Sequence, residues 1–216
     1  MVVLSNNEII SVCSRALQSL CISSGSEIEN ARNIAYLEAI QLPALDSLFR
    51  EIEHIKEGQQ SFGGEKNCND IPSAFTIGQS LIDSAIIQNQ SFFEVVRSPL
   101  IVLAEAVRRC PQYGGFTLSF CCEGRQNVAV YHKNQLKLKF SVEPNSIASK
   151  VELKLVRQDK NLPLHNFEIV KNTNIIHDIV YCIDKWRVIC AEAQKTLVPN
   201  SITSRASAGA MTNDSL

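Results

Sequence analysis

The sequence predicts an α+β protein with an N-terminal helical layer, a central mainly antiparallel sheet carrying one inserted helix, and a long C-terminal amphipathic helix. Three observations carry that prediction. Apolar residues recur every three or four positions over the first fifty residues and again near the C-terminus. Between them, from about Phe92 to Val156, the period falls to two. No internal repeat or second linker divides the chain, so residues 1–198 read as one domain and 199–216 as a Ser/Ala-rich tail.

The first helix is expected at Ser5, where Ser5 and Glu8 form the S-x-x-E signature of a capping box. Its stripe is Ile9, Cys13, Ala16, Leu17, Leu20 and Cys21, and Gly25 closes it. Ser26 and Glu29 repeat the signature ahead of Ile28, Ala31, Ile34, Ala35 and Leu37. Pro43 suits the first turn of a third helix, because an N–H is not needed there. Leu45, Leu48, Phe49, Ile52 and Ile55 give that helix its buried side. Glu57 to Pro72 reads as a long, mobile polar surface loop, with a ligand lid as the alternative, and it lacks the Walker pattern. Phe75 to Gln88 has helical spacing through Ile77, Leu81 and Ala85.

In the middle, Phe92 to Val96 reads as a strand. Ser98-Pro99 then opens a helix that runs through Leu103 and Val107 to near Pro111. Phe116 to Cys121, Asn127 to His132, Leu136 to Phe140 and Val151 to Val156 alternate as strands of an antiparallel meander, with Lys137 and Lys139 outward. One face of such a sheet packs on helices and the other is wet. Ile179, Cys182, Ile183, Trp186, Ile189, Cys190, Ala193 and Leu197 then form the stripe of the C-terminal helix, which Pro199 stops.

Composition narrows the function classes. The apolar fraction is 45% and the formal net charge −1, so no global field draws nucleic acid or an anionic membrane. No segment reaches the ~18 consecutive apolar residues of a membrane span, and Met1 to Asn7 lack the pattern of a signal peptide. A soluble, cytoplasmic protein is expected. The eight cysteines then read as reduced thiols, and Cys13, Cys21, Cys182 and Cys190 as small buried hydrophobes on helix stripes.

Catalytic and metal motifs are missing. There is no C-x-x-C, H-E-x-x-H or G-x-S-x-G, and neighbouring Cys121 and Cys122 would face opposite sides of a strand. Asp178, after His177, reads as a helix N-cap, and His132 as a satisfied histidine beside Val128 and Val130. His54 and His165 read as exposed; Glu27, Glu29, Glu51 and Glu53 as caps or solvated faces. No metal and no cofactor is expected. The remaining candidate is the tail, where Arg205 stands beside Ser204 with Thr196 upstream. Arg's planar fork suits a carboxylate or phosphate, and the simpler reading of the same stretch is a disordered end.

The helix beginning Asn7-Glu8-Ile9, the Ala31/Ala35 pair, Arg97-Ser98-Pro99-Leu100 and the ending Trp186…Leu197-Val198-Pro199…Ser204-Arg205 resemble a bacterial domain-of-unknown-function family along essentially the whole chain. That resemblance implies a fold and no chemistry. The N-terminal helices are also similar to those of type-2 malate/lactate dehydrogenases, which carry Ser-His-Gly after the second helix. Here the stretch is Leu42-Pro43-Ala44-Leu45-Asp46-Ser47-Leu48, without the histidine. NAD-dependent hydride transfer would thus rest on helix spacing. The expectation is a non-catalytic binding or accessory protein of bacterial metabolism, with a protein partner. The alternative is an enzyme or binder of a small anionic metabolite at Thr196, Ser204 and Arg205.

Overall fold

The computed structural model describes residues 1–22, 25–60, 71–133, 135–140, 147–156, 168–170 and 178–197. Ser204, Arg205, His165 and His177 lie outside them. The α+β architecture is as expected. Strand β1 (Val2–Ser5) leads into α1 (Asn6–Ser19), α2 (Ser26–Ala39), α3 (Ala44–Gln60) and α4 (Ala74–Gln88). Strand β2 (Gln90–Val96) and helix α5 (Leu100–Arg109) precede the meander of β3 (Phe116–Cys122), β4 (Arg125–His132), β5 (Gln135–Lys139) and β6 (Ala148–Leu155). The chain closes with β7 (Glu168–Val170), β8 (Asp178–Tyr181) and α6 (Ile183–Gln194).

Local chemistry explains most helix starts. The Ser5 hydroxyl accepts the Glu8 N–H at 3.2 Å, as the capping box requires. At α2 the cap differs from expectation: Gly25 is the N-cap, and the Ser26 hydroxyl donates to Gln79 of α4 at 3.4 Å. Glycine fits there because φ is +92°. The third helix extends through positions 57–60, which the sequence assigned to a loop. Its first turn is capped from a distance, Leu45 N–H donating to the Glu38 carboxylate at 2.7 Å.

The six-stranded sheet has the order β2-β6-β3-β4-β5-β7 and every pairing is antiparallel. Its inner face presents Phe116, Leu118, Phe120 and Cys122 from β3 together with Ala129, Leu136, Leu138, Val151 and Leu153, all buried. Helix α4 packs there, and the Ser91 hydroxyl of β2 donates to Leu81 O at 2.7 Å. Gly115 lies so close to β4 that a Cβ would come within 2.3 Å of Tyr131 O, which excludes any side chain.

The long C-terminal helix requires correction. Helix α6 has 12 residues, and the first predicted turn is instead β8, paired with β1 from Val2↔Tyr181 to Ser5↔Asp178. Asp178 is therefore a strand residue, not a helix cap. The spacing of Ile179, Cys182, Ile183 and Trp186 fits a helical stripe, but Ile179 and Tyr181 alternate into the core as a strand does. Cys182 is the N-cap of α6 and half-exposed, not a buried hydrophobe. Backbone N–H groups of Lys185 and Asp184 lower its thiol pKa. Cys21 is also exposed, in a left-handed conformation just past α1. The seven described cysteines are all thiols.

Candidate functional site on the open face of the sheet

Most charge in the helical half holds the fold together. Glu51, read from sequence as solvated, is 4% exposed and accepts Arg97 Nη2 at 2.9 Å; Arg97 Nη1 meets His54 Nε2 at 2.8 Å. Arg97 is fixed by its backbone too, exchanging hydrogen bonds with Pro72 and Ala74 at 2.9 Å. Glu105, 2% exposed, accepts Asn33 at 2.9 Å and Arg108 at 2.7 Å. Glu192 is held by Ser19 and Lys195, each at 2.7 Å. These contacts account for buried carboxylates that would otherwise be costly.

A second cluster joins α2, α3, β8 and α6. Asp46 Oδ1 accepts Tyr181 Oη at 2.8 Å and Lys185 Nζ at 2.9 Å, while Lys185 sits 5.5 Å over the Phe49 ring. Burial, together with the bond to Asp46, pushes the Tyr181 phenol above its ordinary range. Desolvation raises the Glu38 carboxyl to about 7, and the amide bond from Leu45 works against that rise. A cavity of about 300 Å³ lies beside Glu38, lined by Gln41, Leu42, Pro43, Asp178, Ile179 and Val180. Glu38 already has a structural duty there as the cap of α3.

The outer face of the sheet is arranged differently. A cleft of about 500 Å³ is lined by Phe92, Ser119, Phe120, Cys121, Gln126, Lys150 and Glu152. Strand pairing assembles it: Phe92 faces Glu152 across β2/β6, Ser119 faces Glu152 across β3/β6, and Cys121 faces Gln126 across β3/β4. Phe92 is 67% exposed. Glu152 is occupied by Lys154 at 3.0 Å and Gln90 at 2.7 Å. Lys150 is exposed and has no ion pair among the described residues.

The backbone at Lys150 is unusual. Among the described residues seven non-glycine positions have positive φ; six stand at helix ends, in hairpin turns or before Pro99, and Lys150 (φ +53°) is the one inside a strand. The β3/β6 register slips between Ser119↔Glu152 and Cys121↔Ser149. Ala148 and Val151 are both fully buried although three residues apart, which a regular strand forbids. This is a β-bulge, the device that re-aims a side chain at a sheet surface. A lysine in the left-handed region costs of order 1 kcal/mol, and such strain concentrates at binding and catalytic sites.

The sequence-derived candidates fall elsewhere. Thr196 Oγ1 donates to Ala193 O at 2.8 Å and so finishes α6. Ser204 and Arg205 lie outside the described residues. His132 shares the outer face with Val128 and Val130, as expected; it is 8% exposed and neither ring nitrogen has a hydrogen-bond partner among the described residues. It stands four residues along β4 from Val128, the partner of Ser119, roughly 14 Å from that edge of the cleft at strand spacings. Lys137 and Lys139 project from the same face on β5.

Among the described residues no His, Cys, Asp and Glu group is placed to hold a metal ion, and no helix is long and apolar enough to cross a membrane. Comparison with family models, with curated proteins and with solved structures finds no match.

Proposed function

We propose that this chain is a non-catalytic binding protein that takes a small anionic ligand in the cleft on the outer face of its sheet. The observation that supports it is Lys150, a cation at the wall of the largest of the cavities described above, set there by a strained bulge and without a carboxylate partner among the described side chains. A bulge kept at the cost of a left-handed lysine serves the surface rather than the core. The surrounding field agrees, since Lys137 and Lys139 share the face and Glu152 is neutralised in place.

The described lining supports a binding role. The cleft offers a hydroxyl, a thiol, an amide, an ammonium and an engaged carboxylate, and no histidine among its lining residues to act as a base. The Glu38–Asp46–Tyr181–Lys185 cluster does contain a carboxyl titrating near 7, but that carboxylate is tied to the amide of Leu45. The proposal departs from the Ser204–Arg205 expectation in its residues and keeps its ligand charge.

A backbone-amide NMR titration of the full chain with a mixture of small carboxylates and phosphates tests this reading. Shifts should gather on β2, β3, β4 and β6 around Phe92, Ser119, Cys121, Gln126 and Lys150, with the added compounds recovered unchanged. Shifts centred on another surface, or turnover of a compound, would overturn it.

A further inference from the structure

The cleft specifies more than charge. Resting on the reading of that cleft as a ligand site, we infer that its ligand is a flat aromatic ring carrying one anionic group, a carboxylate or phosphate attached directly or through a short link.

The ring is placed by Phe92. Its side chain stands on the open face of the sheet, 67% exposed, at the wall of the cleft. One exposed phenylalanine alone needs no explanation. Here it flanks a concave surface that also holds a directed cation, and an offset-stacked or edge-to-face partner would cover it. A saturated ring could bury similar area but would lack that quadrupolar match.

The charge is placed by Lys150. Glu152, between the two, is held by Lys154 and Gln90, so among the described side chains lining the cleft the unpaired charge is the ammonium. A cationic ligand would meet that ammonium with no open carboxylate among the described lining residues to answer it. Lys137 and Lys139 lie on β5, beyond β4 from the cleft residues of β3. At ~4.8 Å per strand they are roughly 10 Å away, close enough to steer an anion but too far to bind a second charge on a compact ligand. One anionic group is what the geometry answers.

The spacing sets the link. Phe92 is paired with Glu152, and Lys150 is two residues further along β6. That places the Cα atoms of Phe92 and Lys150 roughly 8 Å apart, from ~3.3 Å per residue and ~4.8 Å between strands. An aromatic ring and an anion separated by no more than a few bonds span this distance. The Ser119 hydroxyl and Gln126 amide lie along the floor, where they meet polar edges of the ring system or the remaining anion oxygens. A volume of about 500 Å³ accommodates one or two fused rings.

Three probes of similar size test it on the full chain at neutral pH: 2-naphthoate, the saturated decalin-2-carboxylate, and 2-naphthylmethylamine, titrated by calorimetry with cleft amides followed by NMR. Naphthoate should bind at least about fivefold tighter than the saturated acid and at least about tenfold tighter than the amine. Lys150→Gln should weaken naphthoate about tenfold, with Lys150→Arg within about threefold of the parent. Phe92→Ala, at an exposed position that leaves the core untouched, should remove the preference for naphthoate over the saturated acid.

The failures separate. If both acids shift the cleft amides and bind equally, or the amine binds best, the ligand class is wrong and the cleft remains a site. If none of the three shifts the cleft amides, the cleft is not a small-molecule site and both readings fall.

Discussion

The helical half and the open face of the sheet treat charge in opposite ways. In the helical half, Glu51, Glu105 and Glu192 are each less than 5% exposed, and each meets an Arg or Lys. On the sheet, Lys150 is exposed, unpaired among the described residues, and set in a backbone conformation lysine disfavours. Satisfied buried charge fixes how elements pack. Unsatisfied charge at a bulge has no packing role, so the comparison assigns architecture to one region and recognition to the other.

Breaking the first kind should cost the most. Arg97→Met leaves the Glu51 carboxylate buried without its guanidinium and should lower stability by about 3–5 kcal/mol in urea denaturation. A loss below about 1 kcal/mol would show that water reaches Glu51 and that the clasp is ornamental. Glu38→Gln tests the cluster around Asp46 and should act with the opposite sign. Because the folded carboxyl is raised from 4.5 to about 7, its protonated form favours the fold. That contribution is complete below pH 4.5 and is lost as pH rises through about 7. The variant, which keeps an acceptor for Leu45 N–H, should therefore be more stable than the parent at pH 8, by about 1–2 kcal/mol. The difference should vanish in acid. A variant less stable at pH 8 would mean that the charged carboxylate is the better cap.

Sequence and structure agree where the determinants are local. Ser5 with Glu8, the alternation from Phe116 to Lys139, and Pro43 before α3 each act within a few residues, and each element forms where expected. What could not be read depends on distant partners. Residues 179–181 fit a helix stripe as well as a strand, and only pairing with Val2 to Leu4, far away in the chain, decides for β8. Glu51 looks solvated until Arg97, 46 residues later, folds beside it. The cleft is hidden for the same reason: Phe92, Ser119, Gln126 and Lys150 come from four strands. No residue type announces a bulge at Ser149-Lys150, where a glycine would have marked the positive φ. Thr196 offers a hydroxyl by residue type, and that hydroxyl closes its own helix.

The central claim is that the strain at Lys150 is maintained for binding, and Lys150→Gly tests it most directly because one substitution relieves the strain and removes the cation. Stability by urea denaturation and 2-naphthoate affinity are measured on the same preparation. Stability should rise by up to about 1 kcal/mol while affinity falls about tenfold. A variant that binds as tightly as the parent, or that loses stability with no change in binding, would make the bulge a packing feature and contradict the claim.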